Sequence, residues 1–338
     1  SIGRGALSTR KIHKSMKLRL SLALFFLAIS VGWSGKLSAD LASAPENQEA
    51  NVIVRFRTQP ASVDKISRHG GKVEKDLAIV RGVAARMTRR QAENLASDPE
   101  VASITLDRPV RAFLDVSVPT TQAHQAHQTG FTGAGVGVAL IDSGVDTKSR
   151  DLDEPAGSRS RVVYSENFVA GENRVDDPYG HGTHVAGIIG ANGRGSKGSL
   201  VGVAQEAHFV NLRVLDSQGT GHDSGVIAAI ERAIQLKQQY GIRVINLSLG
   251  RPVWESYTAD PLCQAVEAAW NAGLVVIAAG GNYGRLNPAG INGYGTFTAI
   301  GNHPAVLPVG AMKAMGTVAR QADLIASYSS TGPTLVDH

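Results

Sequence analysis

The chain has 338 residues, of which 43% are hydrophobic, so it can bury a core large enough for two domains or for one domain with an appendage. Its formal net charge is +5, but the residues before Asp40 contain seven Lys and Arg and no acidic residue. The positive charge therefore belongs to this N-terminal segment, and the rest of the chain is slightly acidic. The sequence also lacks a stripe of Lys and Arg with interleaved aromatic residues, so nucleic acid is excluded as an expected partner.

Residues 1–39 have the layout of a signal peptide and leader. Lys17 and Arg19 precede an apolar run at 20–31, and the leader ends with the small residues around 38–39. The run is shorter than the roughly 20 residues that a transmembrane helix needs, so no stable membrane span is expected. An uncleaved membrane anchor is the alternative. The sequence therefore predicts export to the medium or the periplasm, with a polar linker at 40–50 behind the leader.

Residues 51–115 predict a small α+β domain. Strand patterns at 51–56, 79–85 and 101–106 alternate with helix patterns at 61–69 and 88–96. Two helices among several short strands are typical of the ferredoxin-like, split βαβ arrangement.

Residues 116–338 predict a larger α/β domain with a mostly parallel central sheet in a three-layer arrangement. Near-continuous apolar strands are expected at 136–141, 209–214, 244–249, 274–279 and 306–309. Helices are expected to begin near His181, at Asp223 or Ser224 as the capping residue, and at Pro261. In sheets of this kind, functional side chains lie beyond the carboxyl ends of the strands.

Three polar residues occupy such positions and form a candidate catalytic group. Asp142 ends an apolar strand, His181 opens a helix between two glycines, and Asn282 follows another buried strand. A serine hydroxyl needs an imidazole to take its proton, and the imidazole needs a carboxylate that fixes its tautomer. A side-chain amide such as that of Asn282 can donate to the oxyanion that forms in acyl transfer. The two glycines are expected to let substrate approach the His181 ring.

The sequence blocks around these residues resemble those of subtilisin-type serine endopeptidases, the subtilase or peptidase S8 family. GVGVALIDSG at 135–144 is similar to the aspartate block of the family, GHGTHVAG at 180–187 to its histidine block, and AAGGN at 278–282 to its oxyanion block. Shorter similarities occur at 202–204, 246–250 and 328–333, in the order of the family. Residues 51–111 resemble the inhibitory propeptide of the family by element pattern and position.

The resemblance implies a secreted, self-processing endopeptidase precursor that acts on protein or peptide substrates and needs no cofactor for catalysis. Asp142 is then the orienting carboxylate, His181 the general base and acid, and Asn282 the oxyanion donor. The propeptide is expected to act as an intramolecular inhibitor that is cleaved between 112 and 119. A structural calcium ion is implied at Asp151, although the loop at 193–199 has no acidic side chain. The substrate cleft is implied to be lined by Ser248, Leu249, Gly250, Ala278, Ala279 and Gly280.

The chain departs from the family at the nucleophile. The Gly-Thr-Ser block that the resemblance requires does not occur up to His338. Ser224 and Ser248 are the available substitutes, but neither lies in a Gly-Ser turn, so we expect the catalytic serine beyond His338. Residues 1–338 alone are then expected to be inactive. The alternative is a non-catalytic peptide-binding or inhibitory protein of the same fold.

Overall fold

The structure is a computed structural model that describes residues 35–58, 61–112, 123–157, 159–198, 200–285, 293–313, 321, 323–334 and 336–337. The residues from Leu37 onward belong to one compact unit. The expected signal sequence and the expected cleavage segment after Ala112 lie outside the described residues. None of the described helices is long and apolar enough to cross a membrane.

An N-terminal module, residues 39–106, contains an antiparallel four-stranded sheet with the order β2-β3-β1-β4. Two helices pack on one face of this sheet, as the sequence predicts for a ferredoxin-like domain. A short helix, α1, precedes β1 within the segment that was expected to be a linker, and its Leu41 is buried. The elements are α1 (Ala39–Ser43), β1 (Glu49–Phe56), α2 (Val63–Arg68), β2 (Lys72–Leu77), β3 (Gly82–Thr88), α3 (Arg89–Ala96) and β4 (Val101–Leu106).

Strand β1 is buried on both faces from Val52 to Phe56. Val52 and Val54 face the helices of the module, in a core with Ile66 and Leu95. Ile53 points to the opposite face and packs in the core of the following domain. The second face is therefore apolar because it lies against another domain, which the pattern of one strand cannot reveal.

The α/β domain, residues 123–337, is built on a six-stranded sheet with the order β13-β12-β10-β6-β8-β7, and all of these strands are parallel. The structure thus confirms the predicted parallel sheet. Its strands are β6 (Gly137–Asp142), β7 (Val162–Asn167), β8 (His208–Arg213), β10 (Ile242–Leu247), β12 (Val275–Ala279) and β13 (Leu307–Val309).

Helices cover both faces of this sheet. One face packs against α6 (Asp223–Leu236) and α7 (Pro261–Asn271), and the other packs against α5 (His181–Gly190). Helix α7 begins at the predicted Pro261, and both of its ends carry strong local signals. Asp260 accepts a hydrogen bond from the Leu262 amide at 2.9 Å, and Gly273 turns the chain at φ +77°. A short helix, α4 (Ala123–Gln128), lies at the start of the domain.

The sequence suggested that Asp223 or Ser224 caps helix α6, but neither side chain does so. Its first amides are capped by Asp107, which follows β4 of the N-terminal module and accepts from the Ser224 amide at 2.9 Å and from the Ser224 hydroxyl. The Asp223 side chain instead forms an ion pair with Arg251. A local cap prediction failed here because the capping carboxylate is distant in sequence.

A small antiparallel sheet joins the two parts of the chain. The connecting strand β5 (Pro109–Ala112) lies between β9 (Thr220–His222) and β11 (Leu249–Gly250) of the α/β domain. The sheet brings the chain that leaves the N-terminal module to the carboxyl edge of the parallel sheet. Two further short strands, β14 (Met312–Lys313) and β15 (Leu324–Ile325), pair with each other.

Candidate active site

Asp142 and His181, which the sequence predicts as a catalytic pair, are in direct contact. Asp142 ends β6, His181 begins α5, and the distance between Asp142 Oδ1 and His181 Nδ1 is 2.7 Å. Both side chains are only 1% exposed. Because a carboxylate only accepts hydrogen bonds, Nδ1 carries the proton, which fixes the orientation of the ring and makes Nε2 the nitrogen that exchanges protons.

Glycines allow this contact for a reason that differs from the expected one. A Cβ atom on Gly182 would lie 2.1 Å from the Gly144 carbonyl oxygen, and one on Gly144 would lie 2.2 Å from the Asp176 carbonyl oxygen. Gly182 therefore permits close packing of α5 against the loop after Asp142, whereas the sequence suggested that it opens the ring to substrate. Gly180 has open space around it but a φ of +91°, which favours glycine.

Asp177 ties the Asp142 loop to the start of α5. Its Oδ1 accepts from the Gly180 amide and from the Ser143 hydroxyl, and its Oδ2 accepts from the Thr183 amide, each at 2.7 Å. The Ser143 hydroxyl in turn accepts from the Gly182 amide at 2.9 Å. Asp177 was not predicted as a site residue, although a carboxylate just before a helix is a capping signal.

Arg213 supports the same loop from the neighbouring strand. It is fully buried at the end of β8, donates to the Ser143 carbonyl oxygen at 3.1 Å, and pairs with Glu172 at 2.8 Å. No sequence pattern indicated this role, because an arginine in an apolar strand carries no local signal of its partner.

Asn282 follows β12 at the same edge of the sheet. β10 separates β12 from β6, so the ends of these strands lie about 10 Å apart. Asn282 is half-buried, and Ser330 holds the backbone on both sides of it. The Tyr283 amide donates to Ser330 Oγ at 3.1 Å, and the Ser330 amide donates to the Gly281 carbonyl oxygen at 2.8 Å.

The residues expected to line a substrate cleft fall into two groups. Leu249 and Gly250 form β11 and pair with β5, so a peptide strand already lies against them. Ser248 precedes this strand, and its hydroxyl accepts from Asn246 Nδ2 at 2.9 Å.

The second group, 278–280, is bonded within the fold. The amide of Gly280 donates to the Val309 carbonyl oxygen at 2.7 Å, and its carbonyl oxygen accepts from the Thr298 amide at 3.0 Å. Thr298 Oγ1 also donates to the Ala279 carbonyl oxygen at 2.7 Å, while Ala278 is buried. These groups can shape a cleft but do not offer Gly280 main-chain groups to a peptide.

The surroundings of Asp151 fit a calcium ion poorly. Asp151 Oδ1 accepts from the Gly195 amide at 2.6 Å, and the Gly193 carbonyl oxygen accepts from the Gly198 amide at 2.8 Å. Arg194 lies in the same loop, with a nitrogen 3.8 Å from Asp153. Among the residues that the structure describes, no group of three or more His, Cys, Asp or Glu side chains could hold a metal ion.

Comparison with known families identifies both parts of the chain. The model of the subtilase family, peptidase S8, matches residues 133–337, and the model of peptidase inhibitor I9 matches residues 34–113. This chain belongs to the subtilase family. The I9 match spans the N-terminal module and the connecting strand, so the chain is a subtilisin-family serine protease with a propeptide, as the resemblance implied.

Relatives of this subtilase align over most of its length. Subtilisin E of Bacillus subtilis (strain 168) is 33% identical over 333 residues, which covers 95% of this chain and 79% of the relative. Serine protease AprX of the same strain is 32% identical over 260 residues, which covers 75% of this chain and 56% of the relative. An alkaline protease of Shouchella clausii is 30% identical over 273 residues, which covers 76% of this chain and 67% of the relative.

Proposed function

We propose that this subtilase is the secreted precursor of a serine endopeptidase that hydrolyses peptide bonds through an acyl-enzyme intermediate. The observation that carries the proposal is the buried 2.7 Å bond between Asp142 and His181 at the carboxyl edge of the sheet. That bond directs proton exchange to His181 Nε2, as a general base requires.

In the proposed reaction, a serine hydroxyl gives its proton to His181 Nε2 while its oxygen attacks the substrate carbonyl carbon. The Asp142 carboxylate stabilises the imidazolium, which then returns the proton to the leaving amine. The amide of Asn282 donates to the oxyanion of the tetrahedral intermediate. A water molecule repeats these steps to release the acyl group, and no cofactor takes part.

The nucleophile in this proposal is contributed by chain beyond His338. Ser224 and Ser248 are poor candidates, because their hydroxyls are engaged with Asp107 and Asn246. A following segment would also cover apolar side chains that β13, β14 and β15 leave half-exposed or exposed. These are Leu307 at 56%, Val309 at 54%, Met312 at 51%, Leu324 at 57% and Ile325 at 81%. Residues 1–338 alone are then expected to hydrolyse no peptide.

The N-terminal module is proposed to be the inhibitor of the enzyme. Strand β5 fills the groove between β9 and β11, and main-chain pairing of this kind is a general way to hold an extended peptide. The apolar face that carries Ile53 packs against the α/β domain and strengthens the association. Cleavage between 112 and 119 would release the module from its domain.

Secretion is proposed from the leader pattern at 17–39. Mass spectrometry of the secreted protein, together with N-terminal sequencing of the precursor, would test this part. A precursor that retains residues 20–31 in the membrane fraction would instead support an uncleaved anchor.

A non-catalytic peptide-binding or inhibitory protein is the alternative, since β5 fills its groove without any nucleophile. The coding sequence separates the two functions. An in-frame Gly-Thr-Ser block after His338 favours the protease, and a stop codon directly after His338 favours the binding protein.

Self-processing provides the functional experiment. The protein encoded by the complete reading frame should cut itself between 112 and 119, as measured by intact mass. His181→Ala should remain uncut, while His184→Ala, a control three residues further along α5, should be processed. A complete reading frame whose product stays uncut in its wild-type form would refute the protease proposal.

A further inference from the structure

Arg108, the residue before β5, is almost completely buried against the α/β domain. Its two terminal nitrogens donate to the two oxygens of Glu255, each at 2.6 Å, and its exposed fraction is 3%. Its Nε donates to Asp40 of the N-terminal module at 2.8 Å. The carboxylates of Asp40 and Glu255 thus enclose the guanidinium of Arg108. Of these two carboxylates, only that of Glu255 belongs to the α/β domain.

Glu255 lies beside a second buried ion cluster that is internally paired. Arg251 follows β11 and contacts Asp223 at 2.9 Å and Asp260 at 2.8 Å. In contrast, the Glu255 side chain has no hydrogen-bond partner other than Arg108 in the part of the chain that the structure describes. Without Arg108, the carboxylates of Asp223, Asp260 and Glu255 outnumber the single guanidinium of Arg251, so the region carries a net negative charge. Glu255 is then the carboxylate that has no arginine partner.

The main chain at Arg108 continues the pairing of the groove. The Asp223 amide donates to the Arg108 carbonyl oxygen at 3.0 Å, next to the pairing of Pro109 with His222. A substrate peptide that replaced β5 between β9 and β11 would therefore place the residue at the position of Arg108 next to Glu255.

We propose that Glu255 forms a distal substrate subsite that selects an arginine side chain at the substrate position equivalent to Arg108. This inference rests on the proposed endopeptidase function and adds a substrate class to it. A substrate that supplies a guanidinium there forms two charge-assisted hydrogen bonds with Glu255, so it binds more tightly than one with a neutral side chain. The two parallel bonds to Glu255 match the planar guanidinium, and the subsite therefore favours Arg over Lys.

Competitive inhibition tests the subsite without knowledge of the cleaved bond. The mature enzyme, obtained from the complete reading frame, would hydrolyse labelled casein in the presence of a synthetic peptide with the sequence of residues 104–112. Replacing Arg108 in the peptide by Gln should raise the inhibition constant about 10- to 100-fold, since charge-assisted hydrogen bonds are lost. Replacing Arg108 in the peptide by Lys is the matched control and should have a smaller effect, since Lys keeps the charge but cannot form both parallel bonds to Glu255.

Variants of the enzyme complete the test. Glu255→Gln should abolish the difference between the unchanged peptide and the Arg108→Gln peptide, whereas Glu267→Gln, an exposed change on α7, should preserve it. If Glu255→Gln folds poorly, Glu255→Arg can be expressed with Arg108→Glu in its own propeptide. It should then prefer the peptide that carries the Arg108→Glu change.

The outcomes separate the two proposals. Casein hydrolysis with equal inhibition by the unchanged and Arg108→Gln peptides, or with no inhibition by either, would overturn the subsite while leaving the endopeptidase function intact. A mature protein that hydrolyses no casein would refute the endopeptidase function, and the subsite with it.

Discussion

Replacing Asp177 by Ala should loosen the contact between His181 and Asp142 without touching either residue. The change removes three hydrogen bonds of 2.7 Å, to the Gly180 amide, the Thr183 amide and the Ser143 hydroxyl. The first two bonds cap the helix that carries His181, and the third anchors the loop that follows Asp142.

The expected cost in stability follows from these contacts. Loss of a helix cap costs about 1 kcal/mol, and a buried hydroxyl left without its acceptor costs about 1–3 kcal/mol. Ser143 is fully buried, but Asp177 itself is half-buried, so water can replace part of what is lost. We therefore expect the free energy of unfolding to fall by about 2–3 kcal/mol, with a decrease in Tm of roughly 5 °C or more.

The catalytic effect should be larger in kcat than in KM. A misplacement of about 1 Å in a catalytic group can cost 100-fold in rate, so we expect kcat of the complete enzyme to fall roughly 10- to 100-fold. Asp177→Asn, which retains one acceptor oxygen, should give an intermediate result.

The matched control is Asp176→Ala, which removes an exposed carboxylate whose partner is Arg174. It should change stability by less than about 0.5 kcal/mol. Scanning fluorimetry and steady-state kinetics on the four proteins are sufficient. Equal stability and equal kcat for Asp177→Ala and Asp176→Ala would refute the positioning role of Asp177.

Two further substitutions test the packing and the charges. Gly182→Ala places a Cβ 2.1 Å from a backbone oxygen of Gly144 and should cost about 3 kcal/mol or more, whereas Gly187→Ala, in open space on the same helix, should be neutral or stabilising in thermal unfolding. Burial next to other carboxylates raises the pKa of Asp223 from 3.8 to about 7, despite its bonds to Arg251. Since the folded-state pKa lies above the unfolded one, the contribution of Asp223 to stability is full below about pH 4 and is lost as the pH rises through about 7. Asp223→Asn should therefore flatten the change in Tm between about pH 4 and pH 7, and a slope equal to that of the wild type would exclude this titration.

The contact between Asp142 and His181 was predictable because its signals are local. Asp142 ends an apolar strand and His181 opens a helix between glycines, and the carboxyl ends of parallel strands meet at one edge of a sheet. The start of α7 was predictable for the same reason, since a capping Asp260 and a Pro261 mark it. Local patterns of this kind also predicted both the parallel sheet and the ferredoxin-like module.

Contacts between residues far apart in the chain could not be predicted in this way. The cap of α6 comes from Asp107, and the partner of Arg108 is Glu255. Strand β7, with its half-exposed residues at the edge of the sheet, lacks the apolar run that marked the other strands. The Asp107 cap and the Arg108–Glu255 pair each join segments that are far apart in the chain, and neither sequence segment indicates its partner.

Covalent labelling by a fluorophosphonate probe tests the central claim most directly, because the probe reacts only with a serine that a neighbouring base has activated. The product of the complete reading frame should be labelled on a serine beyond His338, and His181→Ala should abolish the labelling. Absence of labelling in the intact, folded wild-type protein would contradict the assignment of Asp142 and His181 to a serine peptidase.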